Sequence, residues 1–208
     1  MLRFTRHREH RATGPNWLPA PGNPFIGGGG DPHVFALGLR NPFRASFHGN
    51  RLLIGDVGQD RAEEVNLMPL DRPGMNFGWP FKEGTLAYRG TAPAGLIDPV
   101  IEYRHGNGLY EGGSIVGGFV FAQMEPAGPR GVYVFGDFVA GRIWSVPVSD
   151  IQLGRTIQSS EFENRMIDFA STGVSINQPV SFGISSDGAL HVVDFDGDVF
   201  RNYNVGGW

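Results

Sequence analysis

Gly49-Asn50-Arg51-Leu52-Leu53-Ile54-Gly55-Asp56 is a turn, a short apolar run and a closing aspartate, and the phrase returns twice. Arg130-Gly131-Val132-Tyr133-Val134-Phe135-Gly136-Asp137 and Asp187-Gly188-Ala189-Leu190-His191-Val192-Val193-Asp194 repeat it. Short apolar runs bounded by Gly, Asn and Asp carry the strand-and-turn signature. The copies lie too far apart for solenoid coils, but their spacing suits propeller blades with insertions, typically ~40–50 residues each. Each copy reads as the hairpin of one four-stranded antiparallel blade. Hairpins also recur in sandwiches, so on this pattern alone both all-β architectures stay open.

Working outward, similar runs appear at Val34–Leu37, Val65–Met68, Ser114–Phe121 and Arg142–Val148. Ile157–Ala170 mixes polar and apolar residues, but its apolar positions match helical spacing poorly, which predicts little or no helix. Residues 1–33 form a tail and a Pro/Gly-rich loop ending in Gly27-Gly28-Gly29-Gly30, and residues 34–208 form the domain. With 32 Gly, 15 Pro and only 18% charged residues among 208, the chain is turn-rich, while 12% aromatic content argues for a packed core rather than disorder.

A net charge of −4 disfavours nucleic-acid and anionic-membrane partners, which demand clustered Lys and Arg. The one basic run, Arg3, Arg6, His7, Arg8, His10 and Arg11, has no aromatic interleaving and reads as a solvated tail. No apolar stretch approaches the ~18 residues of a membrane span. The N-terminus carries charge without the apolar region of a secretory leader. Zero cysteine removes disulfides and thiolate chemistry and leaves the compartment open.

Residues 34–80 sharpen the reading. Val34-Phe35-Ala36-Leu37-Gly38-Leu39-Arg40-Asn41-Pro42-Phe43-Arg44 is followed in order by Leu53-Ile54-Gly55-Asp56-Val57-Gly58-Gln59, Glu63-Glu64-Val65-Asn66 and Asn76-Phe77-Gly78-Trp79-Pro80. This succession resembles the glucose/sorbosone dehydrogenase family, which includes pyrroloquinoline-quinone (PQQ) sugar dehydrogenases and hedgehog-interacting proteins. The likeness continues more loosely through Tyr103-Arg104-His105, Gly117-Gly118-Phe119-Val120-Phe121, Phe135-Gly136-Asp137-Phe138 and Gly141-Arg142-Ile143-Trp144. It implies a six-bladed propeller, of which this chain has room for about three blades, and a sugar dehydrogenase ancestry in a family that is typically periplasmic or secreted.

The resemblance also assigns residues. Arg40 and Asn41 match the pair that reaches the quinone oxygens of PQQ, where a fixed guanidinium stabilises charge arriving on the quinone. The alternative is a structural Arg-Asn at a blade corner. Gly58 and Gln59 match the carbonyl pair that binds calcium, an ion that accepts backbone oxygens readily. Glu63 and Glu64 lie close enough in sequence to support the same cation, or to be an ordinary strand entry. His105 is the candidate proton acceptor, against the commoner structural histidine.

Where the family sets a lysine and two arginines against the PQQ carboxylates, this sequence has Val139-Ala140-Gly141 and Gln178-Pro179-Val180, with Arg142 nearby as a substitute. His7, His10 and His33 do not match the family's catalytic histidine. The sequence therefore reads as the quinone and calcium half of a truncated PQQ sugar dehydrogenase, acting on a sugar. A calcium-dependent lactonase or a non-catalytic binding module are the alternatives. Three blades would leave two open lateral faces, and Phe119, Phe121, Tyr133, Phe135 and Trp144 are expected on them, which argues for a homodimer.

Overall fold

The structure, a computed structural model, describes residues 4–6, 17–125, 128–169 and 174–202. Most of the basic N-terminal run, namely Arg3, His7, Arg8, His10 and Arg11, lies outside the described residues. The chain opens with a small hairpin of β1 (Phe4–Arg6) and β2 (Trp17–Pro19). Next come β3 (Pro42–His48), β4 (Arg51–Asp56) and β5 (Ala62–Pro69), a second small hairpin of β6 (Lys82–Glu83) and β7 (Leu86–Ala87), and β8 (Ile101–Arg104). The middle of the chain holds β9 (Ile115–Glu125), β10 (Gly128–Asp137), β11 (Arg142–Pro147), β12 (Ile157–Gln158) and β13 (Glu163–Asn164). It closes with β14 (Pro179–Ile184), β15 (Leu190–Asp194) and β16 (Val199–Arg201).

These strands build three sheets in succession, ordered β3-β4-β5-β8-β12, β9-β10-β11-β13 and β14-β15-β16. Each is a meander whose first strand lies innermost, and β3, β9 and β14 sit side by side across the three sheets. The first and third repeated phrases are β4 and β15 with the turns before them, and the second lies wholly within β10, so the hairpin reading and the blade count both stand. Among the described residues the sheets carry five, four and three strands, the fifth strand of the first being β12, which adds in parallel beside β8. Ile157–Ala170 contains two short 3-10 turns, Ser159–Glu161 and Met166–Phe169, and no α-helix among its described residues. Val34–Leu37 is no blade strand. It is an extended segment bridged at Leu37 to Asn76, and it lays Phe35 and Ala36 over Leu52, Ile54 and Met68.

Two seams hold the blades together. Between the first and second, Leu53, Val65, Leu67, Ile101 and Tyr103 meet Tyr133, Phe135, Trp144 and Phe162. Rings interlock there, with Tyr103 and Trp144 edge-on at 5.0 Å and Phe135 and Phe162 at 5.1 Å. Between the second and third, Val134, Ile143 and Phe121 meet Phe182, Leu190, Val192 and Phe200. Each such side chain contributes roughly 1.5–3 kcal/mol on burial. Arg44 reaches from β3 across Gly117 to donate to the Val180 carbonyl of β14 at 3.1 Å. Gly117 has φ +78, and a Cβ there would meet the Arg44 backbone and Cβ at 3.2 Å, so glycine is what lets the arginine pass.

The residues expected on open faces are therefore not there. Tyr133, Phe135 and Trp144 fill the first seam, Phe121 fills the second, and Phe119 packs against it. They belong to the middle blade, which has a neighbour on each side. Among the described residues, the two outer blades carry exposed apolar side chains instead, Phe43 (55%) and Phe47 (71%) on β3 and Ile184 (47%) and Val199 (61%) on the third blade.

Candidate functional site

The aspartate that closes each repeated phrase does the same job three times. Asp56 accepts hydrogen bonds from the backbone N–H groups of Arg40 (2.9 Å) and Asn41 (2.6 Å). Asp137 accepts from Gly113 and Ser114, both at 2.8 Å. Asp194 accepts from Asn177 (2.7 Å) and Gln178 (2.8 Å). In every blade the carboxylate at the end of the second strand clamps the two residues that lead into the first. The three aspartates are buried, and the paired N–H donors satisfy carboxylates that would otherwise lack partners. The clamp fixes Arg40-Asn41, Gly113-Ser114 and Asn177-Gln178 at equivalent places on one face. Beside them stand the turns Val57–Arg61, Phe138–Gly141 and Phe195–Asp198.

On the first blade this frame immobilises a cation. The Arg40 guanidinium donates through Nη1 to the Val57 carbonyl at 2.9 Å and through Nε and Nη2 to Gln59 Oε1 at 3.0 and 2.7 Å. Its carbon also lies 5.7 Å from the Trp79 ring centroid, within cation–π range. The turn beneath is tied down by Glu83, whose Oε1 accepts from the backbone N–H groups of Gln59, Asp60, Arg61 and Ala62. Gly58 has no room for a side chain, since a Cβ would sit 1.8 Å from the Ala62 carbonyl oxygen. Glu83 Oε2 is buried without a partner. A cavity of about 10 Å³, enough for one water molecule, is lined by Arg40, Asp56, Val57, Gly58, Glu64, Trp79, Lys82 and Glu83.

The acidic pair splits between two tasks. Glu63, fully buried, accepts from His105 Nε2 at 2.7 Å through one oxygen and from Ile115 N (2.9 Å) and Gly58 N (3.2 Å) through the other. It thereby joins the first blade to the first strand of the second. That hydrogen bond holds the His105 pKa above its ordinary value, against the opposing effect of burial. Glu64 points the other way and accepts from Asn66 Nδ2 and Gly84 N, both at 2.8 Å. Burial, with Asp56 adding like-charge repulsion, pushes its pKa up to about 8. Burial likewise raises Asp56 to about 6, in spite of its backbone donors.

Of the residues nominated from sequence, Arg40, Gly58, Gln59, Glu63 and His105 form one chain of contacts, and Asn41 and Glu64 flank it through Asp56. Arg142 stands apart at the start of β11, opposite Asp137, with a buried Nε that meets no acceptor. Both Glu63 and Glu64 are occupied by protein donors, and among the described residues no three His, Asp or Glu side chains converge on a metal position. The carbonyl oxygens of Gly58 and Gln59 accept no hydrogen bond among the described residues. Sequence reading missed Asp56, Trp79 and Glu83. Trp79 sat inside a quoted motif and Asp56 inside the repeat, while Glu83, 20 or more residues from the N–H groups it holds, gave no local signal. A larger open groove of about 600 Å³, lined by Met166, Ile167, Phe169, Val174 and Ile176 among others, shares none of these residues.

Comparison with known proteins agrees with this fold. HIPL2 protein and HIPL1 protein of Arabidopsis thaliana are each 29% identical, over 89% and 82% of this chain. The chain spans only 30% and 27% of their lengths. Among solved structures, the PQQ-bound form of aldose sugar dehydrogenase from Streptomyces coelicolor superposes with a TM-score of 0.56 at 21% identity. That match covers 88% of this chain and 48% of the other. A glucose dehydrogenase superposes with a TM-score of 0.62 at 23% identity over 91% of this chain and 51% of its own. Residues 15–161 match the sequence profile described as Glucose / Sorbosone dehydrogenase, and the chain belongs to that family.

Proposed function

We propose that this chain carries the quinone- and cation-facing side of a sugar-oxidising propeller mouth. The observation that supports it best is the immobilised Arg40 beside two unclaimed carbonyl oxygens, Gly58 and Gln59. A guanidinium locked by three hydrogen bonds and a ring is preorganised to face a group that gains negative charge. Calcium is the cation that fits, because it accepts backbone oxygens and water and needs few carboxylates. Asn41 is exposed and its backbone is fixed by Asp56, which leaves its side-chain amide for a ligand.

PQQ fits this mouth at one end only. When bound, such a quinone accepts the two electrons of alcohol oxidation, and Arg40 and Asn41 suit its oxygens. Its carboxylates find no matching cations at Val139-Ala140-Gly141 or Gln178-Pro179-Val180. The chain's own contribution to proton transfer is His105. With Nε2 donating to the buried Glu63 carboxylate, Nδ1 is the ring nitrogen left to accept a proton from a sugar hydroxyl.

The test is a calcium titration followed by melting temperature, with dye-linked oxidation of glucose measured alongside. Calcium at a hundredfold excess over its dissociation constant stabilises the native state by ~2.7 kcal/mol. PQQ-dependent turnover stays near background, because the carboxylate partners are replaced. A melting temperature indifferent to calcium and chelator, with no calcium recovered by elemental analysis, removes the cation from this reading. Robust turnover abolished by Arg40→Ala overturns the expected weak activity. A binding role without chemistry is the second reading, favoured by the Glu63–His105 pair serving as a structural tie between blades. Calcium binding with no turnover of any sugar selects it.

A further inference from the structure

The three clamped turns share a backbone frame and differ in chemistry. The first, Val57-Gly58-Gln59-Asp60-Arg61, holds the fixed Arg40. The second, Phe138-Val139-Ala140-Gly141, is apolar, and Val139 is 64% exposed. The third, Phe195-Asp196-Gly197-Asp198, is apolar and acidic, and Phe195 is 68% exposed. Phe138 and Phe195 bridge the second and third turns as an edge-to-face pair with centroids 5.7 Å apart. Asp196 accepts from Asn177 Nδ2 at 3.3 Å, and neither Asp196 nor Asp198 forms an ion pair among the described residues. Arg142 is the only cation among the described residues from 138 to 142 and 195 to 198.

Resting on the propeller-mouth reading above, we infer that the part of the mouth over the second and third blades selects an uncharged ligand surface and rejects carboxylates. Carboxylate recognition uses paired N–H donors on Arg or Lys. Here the exposed groups are the Phe195 ring, a valine and two carboxylates without an ion pair, while the one guanidinium, Arg142, is half-buried with a buried Nε; together they repel an anion and offer a ring face and hydrogen-bond acceptors to a neutral group. The group accepted there is an uncharged ring, either a quinone stripped of its acidic groups or the hydroxyl-bearing ring of a sugar.

PQQ and its trimethyl ester separate the possibilities, because they share the quinone and differ in anionic charge. Both are titrated into the protein at fixed calcium concentration and low salt, with tryptophan fluorescence quenching as the readout. The ester binds at least tenfold more tightly than the free acid. In the double variant Asp196→Asn with Asp198→Asn, affinity for the free acid rises severalfold and that for the ester does not change. Both residues are exposed and asparagine keeps the acceptor that Asp198 N uses, so this variant folds. Free acid binding as tightly as the ester, or a double variant with unchanged free-acid affinity, overturns the inference. Binding of neither compound overturns it as well. Arg40→Ala tests the underlying reading separately. Ester affinity unchanged in that variant shows that the ligand sits elsewhere, whatever its charge preference.

Discussion

The first and third hairpin ends are built on one plan and diverge in what they display. Asp56 and Asp194 each hold two successive backbone N–H groups of the incoming strand. Around Asp56, however, the turn is packed against Glu83, Glu64 and Trp79, and it fixes an arginine. Around Asp194, the turn stands open with Phe195, Asp196 and Asp198 in solvent. The repeated aspartate is thus scaffold, and the chemical difference between the two ends lies in the three or four residues that follow it. A functional motif read along the chain mixes these two layers, and only comparison of equivalent turns separates them.

Removing the clamp tests the shared layer and carries the largest effect. Asp137→Ala deprives the N–H groups of Gly113, Ser114 and Ala140, and the buried Tyr103 hydroxyl, of their acceptor. Urea unfolding is expected to show a loss of roughly 3–5 kcal/mol. Asp194→Ala, with the acceptor of Asn177, Gln178 and Phe195 gone, costs roughly 2–3 kcal/mol. A loss below about 1 kcal/mol in either variant would mean that the aspartates are not the frame.

The turns themselves are next. Gly58→Ala forces a methyl group to within 1.8 Å of the Ala62 carbonyl unless the backbone moves. The expected cost is roughly 2–3 kcal/mol, together with loss of calcium response. Gly197→Ala meets nothing within 4 Å, but it places alanine at φ +104 and costs about 1 kcal/mol. Equal costs would erase the difference in packing between the two turns.

Glu64 gives an effect that depends on pH and is confined to the first blade. Its folded pKa of about 8 stands above the unfolded value of 4.5. A carboxyl raised in the folded state contributes stability that is fully present below the unfolded pKa and is lost as pH rises through the folded one. In calcium-free buffer, stability therefore falls between pH 4.5 and 8, and Glu64→Gln removes that part of the decline. The variant is more stable than the parent at pH 8.5 by roughly 2 kcal/mol after allowing for relaxation around a buried charge. A parent and variant with parallel pH profiles would show that Glu64 is ionised in the folded protein.

The fold was legible because its information is local. Leu52–Ile54, Val132–Phe135 and Leu190–Val193 are apolar runs with Gly or Asn shortly before them, and each lies in a strand of the structure. The first site was legible in part, since Arg40, Gly58 and Gln59 do meet. What stayed hidden depends on long-range contacts. Glu63 looked like a cation ligand because Glu64 stands beside it, yet neighbours on a strand point to opposite faces, and Glu63 spends its oxygens on His105 and Ile115. The five aromatics assigned to open faces were misplaced because burial follows blade order around the ring, which residue type does not report. The contrast between the first and third turns emerged only once the hydrogen bonds of Asp56 and Asp194 set Arg40-Asn41 and Asn177-Gln178 at equivalent places.

On the proposed reading, the first-blade turn, and not the acidic third turn, engages a cation and its ligand. Backbone amide chemical shifts recorded during a calcium titration test it most directly, because the two turns offer opposite chemistries, carbonyls on one and carboxylates on the other. The expected result is saturating perturbation of Gly58, Gln59, Asp60 and Arg61, with Asp196, Gly197 and Asp198 unmoved. Shifts confined to Asp196–Asp198, or none at Gly58 and Gln59, would contradict it.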